Sequence, residues 1–363
     1  MIAPAPKRIA LVLGGGGLKG FAHVGVLRAL QERGMHPAVY AGTSIGALVA
    51  AACVRGVSSD EMARRALSLR RRDLFRLNHM GIVLDRMRSP SIYMEEPLRA
   101  LANAVCPTGT FEELSTPVYV NTVDVERGTQ IVWGRPGLTN VSVADAVYAS
   151  CALPGFFPPG AVGGRTCVDG GVVDNLPVTI ASLDVDAVIA VDVGNSGGLD
   201  HAAGIATEGF ASIYMRAATV MMHALQTFPL EGWRGPPMML VRPRISHIGW
   251  FDFTHTEELL AEGYRAAASA LDHLDACLAA PTGVFPRQAI RISVDESKCT
   301  GCGICVAHAP HTMALAEDGK AYVRTPLVEW SPADGNFVRQ CPTNAIQALH
   351  VGTAARTLPV IGD

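Results

Sequence analysis

Three observations place this chain among α/β proteins with a mainly parallel sheet. From Ile9 to about Val193, short runs rich in β-branched residues (Ile9 to Leu13, Val118 to Val123, Ala187 to Val193) alternate with longer alanine- and leucine-rich helical stretches such as Phe21 to Arg33. Glycine-rich turns stand where strand passes into helix, at Gly14 to Gly20 and again at Gly42 to Gly46. Composition then changes at Ala280-Pro281-Thr282-Gly283, where proline and glycine interrupt a helix ahead of a segment of different character.

The elements follow in order. Ile9 to Leu13 is a buried strand, and Phe21 to Arg33 the helix after its glycine turn. Val39-Tyr40-Ala41 ends a second buried strand, and Ile45 to Val54 forms a helix of small residues. Ala38 to Val54 contains no charge, but a membrane span needs about 20 apolar residues, and its glycines and serine suit a buried core element. Arg64, Arg65, Arg70, Arg71, Arg72 and Arg76 lie among Leu67, Leu69, Leu74, Phe75 and Leu77, an amphipathic pattern that would suit anionic headgroups and equally a solvated helix and loop. Glu208 to Gln226 reads as a helix, Gly232 to Pro237 is punctuated, and Thr256 to Leu278 carries helical spacing and is expected to close the first unit. The expected division is 1–280, a linker at 281–288 and a small α+β unit at 289–363, with weak structure after Val351.

A chain of 363 residues, 49% of them hydrophobic, can fill two cores, and its formal net charge of −3 gives no drive toward nucleic acid. The apolar run after Lys7 and Arg8 is cut by glycines before it reaches the length of a signal segment, so a cytoplasmic protein is expected, with any membrane contact peripheral. Of nine cysteines, Cys53, Cys106, Cys151, Cys167 and Cys277 lie among apolar or small residues and are expected buried and reduced.

Gly42-Thr43-Ser44-Ile45-Gly46 is a G-x-S-x-G turn between strand and helix, where Gly42 and Gly46 let the backbone bend and leave the Ser44 hydroxyl accessible as a nucleophile. Upstream, Gly14-Gly15-Gly16-Gly17-Leu18-Lys19-Gly20 can aim successive N–H groups at an oxyanion from a helix N-terminus. Gly15, Gly17 and Gly20 also satisfy a dinucleotide fingerprint, but the next strand ends in the Ser44 turn where that site expects an acidic residue. A P-loop fails because Lys19 follows leucine and no Ser or Thr comes after it. Asp169, before Gly170 and Gly171, is the candidate base for Ser44, against the plain reading of a turn aspartate. A histidine base would come from His201, His223, His247 or His255, none of which sits in a telling turn; His23 reads as a helix residue packed near the glycine loop.

In that order, GGGGLKG, GTSIG and DGG resemble the patatin-like phospholipases over most of Ile9 to Val193, and Ala22 to Leu27, Ala152 to Pro159 and Asn175-Leu176-Pro177 are similar to the bacterial and neuropathy-target-esterase branch. The resemblance implies an α/β/α sandwich, lipid ester substrates and a Ser-Asp dyad. Ser44 would attack the ester carbonyl, Asp169 would accept its proton, and the N–H groups of Gly15, Gly16 and Gly17 would hold the oxyanion. Lys19 fills the family's basic position, ordering the loop or meeting a phosphate, while Gly14 replaces the acidic residue of plant members.

Cys299-x-x-Cys302-x-x-Cys305 with a remote Cys341-Pro342 is an iron-sulfur spacing; a zinc site would more often pair two separate C-x-x-C knuckles. The run from Cys299 to Ile346 resembles bacterial ferredoxins. Where two-cluster members place a further cysteine, this chain has Ala309-Pro310, so the resemblance implies one 4Fe-4S cluster on Cys299, Cys302, Cys305 and Cys341. Docking of a redox protein, regulation of the hydrolase and a structural role all remain open for it. The rival class is an electron-transfer protein whose hydrolase half is an inactive lipid-binding scaffold.

Overall fold

Alternate residues of β1 (Ile9–Leu13) face opposite ways, and the core divides with them. Leu11 and Leu13 enter one apolar cluster, Ala10 and Val12 another. The computed structural model describes residues 7–78, 91–194, 207 and 209–351. Within them, β1 lies inside a nine-stranded sheet. On one side follow β2 (Val39–Thr43) and β3 (Val118–Asp124), on the other β7 (Ala187–Val191), β8 (Met238–Val241) and β9 (Val284–Phe285), all parallel. Beyond β3 the direction reverses: β6 (Arg165–Asp169) pairs antiparallel with it, β5 (Gly160–Val162) antiparallel with β6, and β4 (Thr129–Trp133) also pairs with β3. The central strands are apolar on both faces, as in parallel sheets covered on two sides.

The covering layers are unequal. The Leu11/Leu13 face packs against α1 (Ala22–Glu32), α2 (Ile45–Val54), α3 (Ser59–Ser68), α5 (Glu96–Val105), α6 (Val143–Cys151) and α9 (Thr256–Leu271). The Ala10/Val12 face is closed by the short α7 (Val178–Ala181) with Leu176, by Leu230 and Trp233 after α8 (Phe210–Thr227), and by Ala333 from the C-terminal part of the chain. The helix expected over Thr256 to Leu278 is broken at Asp272, whose carboxylate takes the Arg33 guanidinium at 2.7 Å, and resumes as α10 (Leu274–Ala279). In the arginine-rich stretch, α3 ends at Ser68 and a four-residue α4 (Arg71–Leu74) follows. Leu74 is buried, Leu69 and Phe75 pack on the core, and all six arginines point to solvent.

The segment expected as a linker, 281–288, contains β9, which adds a parallel strand to the main sheet with Met238 opposite Val284. Two residues later β10 (Gln288–Val294) opens a second sheet, flanked antiparallel by β13 (Leu327–Trp330) and β14 (Ile346–His350). Ile290 and Ile292 alternate with exposed neighbours and bury against Met313, Phe337, Val338 and Ile346. A small hairpin of β11 (Met313–Leu315) and β12 (Ala321–Val323) and a one-turn α11 (Ile304–His308) complete this part. It touches the first through the Gly232 N–H, which donates to the Ala333 carbonyl at 2.9 Å. The expectation about residues after Val351 falls outside the described residues.

Candidate functional site

The geometry begins with β3, which separates the two strands carrying Ser44 and Asp169. Thr43 lies opposite Asn121 on one edge of β3, and Asp169 opposite Thr122 on the other. Ser44 follows directly at the end of β2 with φ +56°, ψ −128°, a conformation costly for a side chain that turns its hydroxyl out of the strand. Glycines on either side make this turn possible: a Cβ on Gly42 would lie 2.4 Å from the Gly46 backbone, and one on Gly46 would lie 2.0 Å from the Leu13 carbonyl oxygen. The Ser44 N–H donates to Ser150 Oγ at 2.9 Å, and Ser150 donates in turn to the Asn121 carbonyl at 2.7 Å.

Asp169 is 4% exposed. Its Oδ1 accepts the Gly171 N–H at 2.8 Å. Burial pushes its carboxyl from 3.8 up to about 6, against the nearby Ser44 hydroxyl and the Gly171 N–H, which favour the ionised form. The structure therefore sets the two predicted residues side by side across β3. It also places Cys151 there: burial holds that thiol far above its usual range, and the neighbouring Asp169 raises it further.

The glycine loop corrects one expectation. The Gly15 N–H is spent on the Asn175 carbonyl at 3.0 Å, so Gly15 serves as framework rather than as an oxyanion donor. Asn175 also donates from Nδ2 to the Gly15 carbonyl at 3.0 Å, clamping that peptide from both sides. Gly16 and Gly17 follow, Gly17 at φ +57° with its Cα against the Trp250 backbone, where a Cβ would stand 2.5 Å from the Trp250 oxygen. Gly20 packs beneath Ile45 and Gly170 against Asn121, each with no room for a Cβ, and Gly171 closes the Asp169 turn.

Lys19 is buried, and desolvation lowers its ammonium to about 8 while Asp192 raises it. Its charge is felt by Asp192 within the fold. Asp192, fully buried, also pairs with Arg242 at 3.1 Å. His23, fully buried, donates from Nε2 to the Gly14 carbonyl at 2.8 Å, and burial drives its imidazole down to about 4, so it is neutral and structural. His247 pairs with Glu258 and His255 with Asp252, both at 2.8 Å, while His223 faces Asp192, Arg242 and Arg339. His201 lies outside the described residues.

In the C-terminal part, Cys299, Cys302, Cys305 and Cys341 line one cavity floored by Ile304 and Ile346. Gly301 and Gly303, at φ +73° and +76°, wind the chain between the first three cysteines. Sulfur-directed donors are in place: Ala321 N–H to Cys299 Sγ and Ala345 N–H to Cys341 Sγ, each at 3.3 Å. Four thiols around a shared hollow, two of them accepting backbone N–H bonds, are the donor chemistry that a cluster with charged thiolate ligands requires. The other five cysteines form no disulfide.

Residues 11–182 match the family model for patatin-like phospholipase. The chain carries a patatin-like phospholipase domain. Residues 292–348 match a 4Fe-4S single cluster domain. The patatin-like part is 38% identical over 190 residues to an uncharacterized NTE family protein of Mycobacterium tuberculosis, covering 52% of this chain and 50% of that one. It is 35% identical over 192 residues to a lysophospholipase NTE1 of Mycosarcoma maydis, covering 52% of this chain and 10% of the other. The chain thus spans half the length of the mycobacterial relative and far less of the fungal one. Among solved structures it is similar to VipD from Legionella pneumophila, at 18% identity and TM-score 0.41, with 74% of this chain and 67% of that one covered.

Sequence reasoning overlooked Asn121 and Ser150, and met Asn175 only as part of a resemblance. Asn121 is fully buried and donates to Thr43 Oγ1 at 3.2 Å, to the Gly170 carbonyl at 3.3 Å and to the Asp174 carbonyl at 2.6 Å, tying the Ser44 turn to the Asp169 turn. No spacing rule marks a mid-strand asparagine; its only signal is an amide in an otherwise apolar run.

Two outcomes are expected. Asn121→Ala leaves those acceptors unpaired and costs about 1–3 kcal/mol of stability in denaturant titration. Asp169→Asn removes a buried charge whose pKa is raised on folding. The wild-type penalty is therefore absent below about pH 4, grows as pH rises and is complete above about 6. The substitution should stabilise the fold on the order of 3 kcal/mol at pH 7 and by almost nothing at pH 4.

Proposed function

We propose that this protein hydrolyses carboxylic esters of lipids, of the phospholipid or lysophospholipid class, with Ser44 as nucleophile and Asp169 as general base. The Ser44 turn set beside the buried Asp169 carboxylate carries the reading. Ser44 Oγ attacks the ester carbonyl carbon as its proton passes to Asp169. The N–H groups of Gly16 and Gly17 stabilise the oxyanion, each such donor contributing about 3 kcal/mol to the transition state. The tetrahedral species collapses, Asp169 returns the proton to the departing alcohol oxygen, and an acyl-serine remains. Water then attacks the acyl carbon, again giving its proton to Asp169, and the fatty acid leaves as Ser44 is restored. A carboxyl near 6 suits both directions of transfer better than one at 3.8.

The four-cysteine cavity supports one 4Fe-4S cluster on Cys299, Cys302, Cys305 and Cys341, in a unit separate from the hydrolase and beginning after β9. Such a group supplies one-electron redox chemistry, which ester hydrolysis does not use, so its place is regulatory or in electron transfer with a redox partner. Support for coupling comes from the Gly232 N–H on the Ala333 carbonyl at 2.9 Å, which ties the turn after α8 to the four-cysteine unit. Among the described residues no helix is long and apolar enough to cross a membrane.

Turnover of a short-chain p-nitrophenyl ester should fall about a thousandfold or more in Ser44→Ala and in Asp169→Asn. With the base protonated below its pKa, kcat/KM should rise about tenfold per pH unit up to about 6 and then level. Unchanged turnover in Ser44→Ala would leave the scaffold reading in possession. Protein purified without oxygen should be brown with about four irons per chain, and Cys341→Ser should lose that iron.

A further inference from the structure

Helix α8 presents a stripe to solvent that few soluble helices carry. Ile213, Ala217, Val220, Met221, Ala224 and Phe228 recur at i, i+4, i+7, i+8, i+11 and i+15, one helical face, and all six are exposed. Met221 is 56% exposed and Phe228 79%. Scattered apolar residues on a surface are ordinary, but an unbroken apolar face about four turns long marks a contact surface.

The stripe adjoins the Ser44 site. On its inner side Met222 Cε comes within 3.3 Å of the Cβ position of Gly171, in the Asp169 turn, and Gln226 packs on Gly194 and so against the Gly15 peptide. Val172 and Val173, just past that turn, are 46% and 40% exposed and extend the apolar surface toward the nucleophile. On the opposite flank of the glycine loop, Trp250 accepts the Leu18 N–H at 2.8 Å, its neighbour Phe251 meets Phe75 at 5.3 Å, and Arg71 lies over Phe75 at 5.5 Å. Arg70, Arg72 and Arg76 are exposed beside it.

We propose that the outer face of α8 seats in a phospholipid membrane, with the Arg70–Arg76 segment meeting anionic headgroups, so that lipid passes to Ser44 without crossing water. The proposal rests on the lipid-ester reading above. It commits to a bilayer because an apolar face adjoins the Asp169 turn and a cationic segment is linked through Phe75 and Phe251 to the glycine loop, a pairing that matches the layering of a membrane surface. An 18-residue helix that does not qualify as a span lies in the interface plane. The occupant it competes with is a second copy of this chain.

The experiment uses the full-length, cluster-loaded protein and two variants, Met221→Glu/Phe228→Glu and Met221→Ser/Phe228→Ser. All are assayed for co-sedimentation with vesicles of equal phosphatidylcholine and phosphatidylglycerol, for release of fatty acid from those vesicles, and for turnover of soluble p-nitrophenyl butyrate. Expected is a loss of vesicle binding and of vesicle hydrolysis of about tenfold or more, with the soluble ester turned over within about twofold of wild type. Vesicle binding by the variants equal to wild type, or none by wild type, overturns the docking surface while leaving the hydrolase reading intact. Absence of ester turnover in a wild type whose vesicle binding is still abolished by the substitutions sinks the hydrolase reading alone and supports the docking surface. A concentration-dependent wild-type dimer that both variants dissolve, without vesicle binding, assigns the face to a second copy and overturns the proposal.

Discussion

A single buried amide holds the two halves of the site in register. Asn121 sits between β2 and β6, and its Nδ2 reaches the threonine beside Ser44, the carbonyl of the first glycine after Asp169, and the Asp174 carbonyl. Its own carbonyl receives Ser150, which in turn receives the Ser44 N–H. The proposed dyad has no intervening imidazole to bridge a gap, so it requires the backbone to set the Ser44 hydroxyl and the Asp169 carboxylate at contact distance. Because β6 runs antiparallel to β3 while β2 runs parallel, the end of each strand arrives beside the same two residues of β3.

The polar groups beneath the glycine loop are arranged for position rather than for stability. Desolvation works against Lys19, His23 and Asp169 alike, and Asp192 is fully buried with Arg242 as partner. Buried ion pairs of this kind seldom stabilise a fold relative to apolar replacements. What they do here is fix the loop from underneath, with His23 on the Gly14 carbonyl and Asn175 on both sides of the Gly15 peptide.

Much of this was legible in the residues. Periodicity located β1 and α2 to their end residues because strand and helix there are buried and uninterrupted by competing turns. The turns that place Ser44 and Asp169 beside each other were legible because their flanking glycines are demanded by close backbone approach, which leaves a motif. Three things were not. The donor role assigned to Gly15 failed because its partner, the Asn175 carbonyl, lies 160 residues away and backbone carbonyls carry no sequence signal. Asn121 and Ser150 were hidden because each is one polar residue in an apolar element. The strand Val284–Phe285 was read as linker because two residues beside proline and glycine have no period to detect, and only the open edge of β8 makes them a strand.

That short strand ties the two parts of the molecule together mechanically. Pro286 and Arg287 alone separate β9 from β10, a leash of at most about 7 Å per two residues. A module so tethered cannot swing out like a bead on a string: any large excursion of the four-cysteine unit would pull on the outermost strand of the main sheet.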